Sequence, residues 1–276
     1  MVKLADYISK IEISSLWSGR KHIVWKLRPD VNVLSGQNGA GKSTILKRLV
    51  QGIKAVPASG EIAGGTRLGV KIDFMPSDAT SIRYDVIRSF DRELLSPDMI
   101  NKIPEQTILT ELDWQLYQLQ RRYLDYQVNV ANRIIALLTA NVANAHEKAA
   151  LVAQYKARFL DIVDELFSCT GKKIDRDSNE LQFLQGGDVL PPHLLSSGEK
   201  QMLIILLTAL TEDCKPYVIF MDEPEASLHF EWQKSLIGLV RELNPHAQII
   251  LTTHSPAVIM DGWQDAVTEV GDITEA

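Results

Sequence analysis

The chain contains only two cysteines, Cys169 and Cys214, and they form no C-x-x-C pair. That excludes a disulfide framework or a cysteine-built zinc site, and it fits a reducing, cytoplasmic setting. Long apolar runs are missing too. The longest, such as Met202–Leu207 and Tyr217–Met221, fall far short of the ~20 residues a membrane span requires. No membrane span is therefore expected. Met1–Lys10 is mixed and charged, without the apolar centre of an export signal. Positive charge is not in excess: 29 Lys and Arg face 35 Asp and Glu, a formal net charge of −6. That balance argues against wholesale nucleic-acid binding but leaves room for a local patch. Low-complexity segments are absent. What remains is 276 residues, 45% of them hydrophobic. This is enough for a sizeable core, in one large α/β domain or one domain carrying an insertion.

Three short segments, far apart in the chain, carry the chemistry. Gly36-Gln37-Asn38-Gly39-Ala40-Gly41-Lys42-Ser43-Thr44 fits the phosphate-loop pattern G-x-x-x-x-G-K-[ST], in which backbone N–H groups wrap polyphosphate. It follows a strand-like run, Val31–Leu34, and leads into a helix-like segment, Ser43–Ile53. Strand, glycine loop and helix are the context that motif needs. Lys42 is then expected to reach the β- and γ-phosphates of ATP, Ser43 to ligate Mg2+, and Thr44 to approach the α-phosphate. The apolar strand Tyr217–Met221 runs into Asp222-Glu223-Pro224. Asp222 at a strand end can hold Mg2+, and Glu223 can orient and polarise an attacking water. His254 follows a second apolar strand, Ile249–Thr253, where an imidazole can sense the γ-phosphate. The third segment is Leu195-Ser196-Ser197-Gly198-Glu199. Ser196-Ser197 suits the cap of a very apolar helix, Gly198–Leu210, and hydroxyls at a helix start also suit an anion clamp.

The remaining pattern is that of α/β folds. Residues 7–14, 21–27 and 70–75 read as strands, as do 217–221, 248–253 and 266–270, with a helix over 230–243. The expectation is a mainly parallel sheet flanked by helices. The middle of the chain differs. Leu109, Leu112, Leu116, Leu119, Tyr123, Tyr126, Val130, Ile134 and Leu137 form a near-heptad seam. A second helix is expected over about 147–169, with Leu151, Tyr155, Phe159, Ile162, Val163 and Leu166 on one face. This gives a single 1–276 ATPase domain: a nucleotide-binding core of 1–95 and 181–276 interrupted by a helical lobe, 96–180. That lobe is either packed on the core or a projecting arm.

On these residues the chain resembles the non-transporter branch of the ABC-type ATPases, the group of SMC, RecF and OLD-like AAA family ATPases. Leu195 to Gln201 is similar to the family's L-S-G-G-Q signature. Asp222 to His229 resembles the extended acid motif and D-loop of the RecF/OLD-like members, and Thr252-Thr253-His254-Ser255-Pro256 resembles their switch-histidine segment. The resemblance implies a homodimer formed on ATP binding. In it, Ser196, Ser197, Gly198 and Glu199 of one subunit cap the phosphates held by the other. It also implies ATP hydrolysis harnessed to a partner, either nucleic acid or an effector protein, in DNA/RNA maintenance or phage defence.

Departures from the pattern are visible. Where many ABC proteins place a Gln after the glycine-rich segment, Asp73-Phe74-Met75-Pro76 leads to Ser77, leaving open whether Ser77 takes that role. Trp17, Arg20 and Lys21 are candidates for packing on adenine, and Trp17 reads equally as core. Metal-hook cysteines, a long coiled coil and an appended nuclease domain are not expected. Arg121-Arg122 and Lys172-Lys173 read either as a solvated helix face or as a basic stripe for nucleic acid. Two other functions remain open: the energising subunit of a membrane transporter, for which Ser59-Gly60-Glu61-Ile62 speaks, and an ATP-gated dimerisation switch with negligible hydrolysis.

Overall fold

A computed structural model describes residues 3–16, 21–37, 39–52, 61–63, 65–67, 69–88, 108–140 and 143–275. The backbone divides into two compact units: Met1–Ser89 with Cys214–Arg241 and Pro245–Ala276, and Phe90–Asp213 with Glu242–Asn244.

The first unit is built on two sheets. One is six-stranded and mainly parallel. Its strands are β3 (Val31–Ser35), β4 (Glu61–Ala63), β7 (Ser81–Arg88), β11 (Tyr217–Asp222), β12 (Ala247–Thr252) and β13 (Val267–Glu269), in the order β13-β3-β12-β11-β7-β4. Only β4 runs antiparallel to its neighbour. β11 and β12 are buried along almost their whole length. Their continuous apolar runs, rather than an alternation, are what a sheet covered on both faces requires. The second sheet is antiparallel, with β1 (Tyr7–Leu16), β2 (Lys21–Lys26), β5 (Gly65–Arg67), β6 (Val70–Met75) and β14 (Thr274–Glu275) in the order β14-β2-β1-β6-β5. Here the burial of β2 and β6 does alternate, because one face meets the core. Ile8, Ile11, Trp25 and Phe74 of this sheet share one core with Leu34, Val218, Phe220 and Ile250 of the parallel sheet. Ile45, Leu46 and Leu49 of α1 (Lys42–Gly52) complete it. A buried amide ties the sheets together: Gln248 on β12 accepts from Ile8 N–H at 2.8 Å and donates to Ile8 O at 2.8 Å and Arg28 O at 2.7 Å.

Strand β7 lies beside the acid-bearing strand, yet it falls in a stretch that the sequence pattern leaves unassigned. Ile82, Tyr84 and Val86 alternate with Arg83 and Asp85, which is the local signal of a strand, and Ile87 then breaks the alternation before Arg88.

The second unit holds α2 (Glu111–Thr139), α3 (Ala145–Phe167), a three-stranded sheet of β8 (Lys173–Ile174), β9 (Phe183–Gln185) and β10 (Asp188–Leu190), and α4 (Ser197–Thr211). The remaining helix, α5 (Phe230–Leu243), follows β11. The seam on α2 is buried at Leu112, Leu116, Leu119, Tyr123, Tyr126 and Val130, and Tyr123 meets Phe159 of α3 at 5.9 Å between ring centroids. The seam stops there: Leu109 is 60% exposed, Ile134 and Leu137 are half-buried, and Leu151 on α3 is 60% exposed.

This division does not follow the expected boundary. Residues 181–213, placed with the nucleotide-binding core from the sequence, group with the helices. The reason is α4, which is buried on nearly every side and packs on α2 and α3.

Candidate functional site

The parallel register aligns four strand ends in the first unit. Asp222 pairs with Thr252 of β12 and with Arg88 of β7, and Thr252 pairs in turn with Leu34 of β3. The segments leaving these C-terminal ends therefore emerge side by side, as ligand-binding segments of open α/β sheets do. β3 leads into the glycine loop, β11 into Glu223 and β12 into His254.

In the loop, Gly39 and Gly41 hold φ values of +81° and +99°, a left-handed conformation that side chains resist. A Cβ at Gly39 would meet nothing within 4 Å, so backbone conformation rather than crowding demands glycine there. The turn is closed by Ala40 N–H donating to Gln37 O at 3.1 Å, and α1 begins with Ile45 N–H donating to Gly41 O at 2.9 Å. No acidic residue occupies the first turn of α1, which keeps the positive end of that helix available to an anion. Ser43 is half-buried and Thr44 exposed on this turn; Asn38 lies outside the described residues.

Lys42 is 3% exposed, and its ammonium donates to Gly36 O at 2.8 Å, to Gln37 O at 3.3 Å and to His254 Nδ1 at 3.2 Å. An ammonium has only protons to offer, so Nδ1 is the acceptor and Nε2 carries the ring proton. Nε2 lies 2.7 Å from Glu223 Oε1 and donates to it. Lys42, His254 and Glu223 thus form a continuous polar chain across three strand ends. Glu223 has φ +50°, unusual for a side chain with a Cβ and a form of strain that concentrates at functional sites. Its N–H is tied back to Thr252 O at 3.0 Å and to Thr252 Oγ1 at 3.1 Å. The Thr252 hydroxyl donates to Asp222 Oδ1 at 2.7 Å.

Thr252 and Glu225 lie inside the motif segments without an assigned role, and Arg88 and Gln233 lie outside them. Glu225 accepts from Thr253 Oγ1, His254 N–H and Ser255 N–H, and Gln233 Oε1 accepts from Ser255 Oγ at 2.6 Å. A polar pair ahead of the histidine, Thr252-Thr253, is the only local signal for this network.

The residues present fit an ATP-bound Mg2+. Among the described residues no group of three or more His, Cys, Asp or Glu side chains could hold a metal alone. An ion bound with ATP is held mainly by substrate phosphates and one or two protein oxygens, which the Ser43 hydroxyl and the Asp222 carboxylate would supply. Ser77 does not sit at this end of the sheet. It precedes β7, at the edge opposite Asp222, and the residue that β7 brings level with Asp222 is Arg88. The role considered for Ser77 is therefore ruled out by the direction of the strand. Of the adenine candidates, Trp17 and Arg20 lie outside the described residues, and Lys21 opens β2 on an exposed position.

The signature segment belongs to the second unit. Ser196 caps α4 in a reciprocal box: its N–H and hydroxyl donate to Glu199 Oε2, both at 2.9 Å, and its Oγ accepts from Glu199 N–H at 3.4 Å. Glu199 is 2% exposed and also accepts from Lys172 Nζ at 2.8 and 3.1 Å and from Thr170 Oγ1 at 3.0 Å. Burial pushes its pKa up, but Lys172 and Ser196 outweigh burial and hold the carboxyl below the usual range. Glu199 therefore faces inward and props the loop, while Ser196 and Ser197 are exposed. The neighbouring pair, Lys200 Nζ with Asp113 Oδ1 at 2.8 Å, fastens α4 to the start of α2. Of the basic pairs read as either a solvated face or a stripe, Lys172 is committed to Glu199, and Arg122 pairs with Glu212. Arg121 donates to Tyr117 Oη at 2.9 Å.

No helix among the described residues is long and apolar enough to cross a membrane. A family model described as "AAA domain, putative AbiEii toxin, Type IV TA system" matches residues 114–261. The chain is similar to the "Retron Vc95 probable ATPase" of Vibrio cholerae serotype O1 biovar El Tor, with 26% identity over 190 residues, 64% of this chain. It is also similar to the "Septu protein PtuA" of Bacillus thuringiensis, with 45% identity over 42 residues, 15% of this chain. The chain spans 36% of the first relative's length and 11% of the second's. Among solved structures, the SMC head domain from Thermotoga maritima aligns with 95% of this chain and 94% of its own, at 18% identity and a TM-score of 0.43.

Proposed function

We propose that this chain, which belongs to the AAA-domain family whose model matches residues 114–261, binds ATP on the loop 36–44 and hydrolyses it with Glu223 and His254. The observation that carries this reading is the chain of contacts from Lys42 through His254 to Glu223, at the strand ends that also carry Asp222. Lys42 exchanges Gly36 O, Gln37 O and His254 Nδ1 for β- and γ-phosphate oxygens. His254 turns its Nε2 proton from Glu223 Oε1 to the γ-phosphate as negative charge shifts onto its oxygens, which frees that carboxylate oxygen. Glu223 then accepts from the attacking water and aligns it with the bond to the ADP oxygen. Mg2+, held by Ser43 and Asp222, would neutralise phosphate charge. The test is ATP turnover by the purified chain against Glu223→Gln, which keeps shape but removes the base. Turnover that survives the substitution refutes the assignment.

The proposal extends to assembly. Two copies pair on ATP, and exposed Ser196 and Ser197 with the N–H groups opening α4 cap the phosphates held by the partner copy. The buried Glu199 supports that loop rather than touching phosphate. Mass measurement of Glu223→Gln with and without ATP reads this out: a dimer is expected with ATP alone. The similarity to a retron ATPase and to a Septu protein supports coupling of this cycle to a nucleic acid or effector protein in phage defence or DNA/RNA maintenance, in the cytoplasm. Stimulation of turnover by duplex DNA, single-stranded DNA or RNA separates a nucleic-acid partner from a protein one.

A further inference from the structure

We infer that Glu225 is a positioning residue of the hydrolytic site, its buried carboxylate fixing the backbone turn that presents His254. The inference rests on the ATPase reading above and adds to it a residue that the sequence motifs did not assign.

Strand β12 ends at Thr252, so the backbone of His254 and Ser255 lies beyond the sheet's ladder. Such N–H groups need another acceptor. Glu225 Oε1 supplies it for His254, accepting its N–H at 2.9 Å; it also accepts from Thr253 Oγ1 at 2.5 Å and shares Ser255 N–H, at 3.2 Å, with Thr253 Oγ1 at 3.0 Å. The residue is 8% exposed, and its other oxygen, Oε2, is buried without a hydrogen-bond partner among the described residues. A buried carboxylate is costly unless its donors repay it, and here all three donors come from the segment that carries His254. Charge makes each of these bonds stronger than an amide or hydroxyl acceptor would. Gln233 on α5 braces both sides of the same joint. It accepts from Ser255 Oγ at 2.6 Å and donates to Leu228 O at 2.9 Å.

The arrangement explains how two catalytic groups from different strands keep a fixed separation. Glu223 and Glu225 lie in one short segment after β11. Glu223 is tied to Thr252 by its N–H, and Glu225 grips the three residues that follow Thr252. The segment holding the water-orienting carboxylate thus also aims the imidazole 2.7 Å away from it. Glu225 touches no reacting atom itself. Its effect on the reaction runs through His254.

The experiment compares wild type, Glu225→Ala and Glu225→Gln in three measurements: nucleotide affinity from a fluorescent ATP analogue, steady-state kcat and KM for ATP, and amide hydrogen exchange. Glu225→Ala should lower kcat by about ten-fold or more, since small misplacements of catalytic groups carry penalties of that size. KM and analogue affinity should stay within about two-fold, because the Lys42 loop is untouched. Glu225→Gln keeps an acceptor oxygen without the charge; it should fold and fall between the other two in kcat. Exchange at residues 253–255 should rise in Glu225→Ala while residues 42–49 stay protected. A folded Glu225→Ala with wild-type kcat, or with kcat and affinity lost together, overturns the proposal. If wild type shows no Glu223-dependent turnover, the ATPase reading fails instead. Glu225 is then judged by exchange alone, and unchanged protection at 253–255 overturns it.

Discussion

Replacing Thr252 by valine removes one hydroxyl and almost no volume, and the structure says what that hydroxyl does. It donates to Asp222 Oδ1 at 2.7 Å and accepts from Glu223 N–H at 3.1 Å, and the residue is buried. A hydrogen bond to a charged group contributes about 1.5–3 kcal/mol. Glu223 N–H keeps its second acceptor, Thr252 O, so it is not orphaned and adds little. Against the loss, a buried methyl in place of a hydroxyl returns up to about 0.8 kcal/mol. The net expectation is a destabilisation of about 1–2 kcal/mol. Urea unfolding, followed at two wavelengths to separate the two units, should show a lower midpoint with an unchanged slope. Because the lost bond orients the proposed Mg2+ ligand, the Mg2+ concentration that half-saturates turnover should also rise. A midpoint shift worth less than about 0.5 kcal/mol, the scale of an inconsequential surface change, would refute the claim that Thr252 anchors Asp222.

Three further outcomes follow from other contacts. Lys42→Ala removes the buried cation of the loop and should weaken ATP binding about ten- to a hundred-fold, the equivalent of one charge-assisted bond, as read by a fluorescent analogue. Gln248→Leu leaves Ile8 N–H and Ile8 O without their side-chain partner, while Arg28 O keeps Asn32 Nδ2 at 3.0 Å. At about 1–3 kcal/mol per buried group, it should cost about 2 kcal/mol or more in the first unit; a normal thermal midpoint contradicts this. Burial raises the Asp113 pKa, but Lys200 and Thr110 outweigh it and hold the carboxyl low. A depressed carboxyl pKa stabilises above the unfolded value of about 3.9 and is lost as pH falls through the folded one. Lys200→Met removes the lowering partner and leaves burial, so acid unfolding of the second unit, followed by circular dichroism, should begin at higher pH than in wild type.

Features written in consecutive residues are legible from the amino-acid order alone. The glycine loop, the strand ending in Asp222-Glu223 and the helix after Ser196-Ser197 each occupy one stretch, and their spacing carries both conformation and chemistry. The helical seam is legible as far as burial enforces it: Leu112 to Val130 are covered, whereas Leu109 is exposed and Ile134 and Leu137 are half-buried. What escapes depends on residues brought together across the fold. Glu225 and His254 lie 29 positions apart, and the polar pair Thr252-Thr253 beside the histidine does not say which carboxylate it meets. Glu199 reads as part of a phosphate-facing signature, but Lys172, 27 positions away, draws its carboxylate inward. Strand β7 carries its own alternation over residues 82–86, but only the sheet register shows that Arg88, not Ser77, stands level with Asp222. The contact division likewise departs from the boundary expected near residue 181, since only packing shows which helices α4 sits against.

The most direct test of the account is steady-state ATP turnover with Mg2+ by the wild-type chain and by Glu223→Gln, each alone and with duplex DNA, single-stranded DNA or RNA. The account predicts turnover that Glu223→Gln abolishes while nucleotide binding persists. Turnover unaffected by that substitution, or ATP bound with no hydrolysis under every condition, would contradict a hydrolytic site built from Lys42, Asp222, Glu223 and His254.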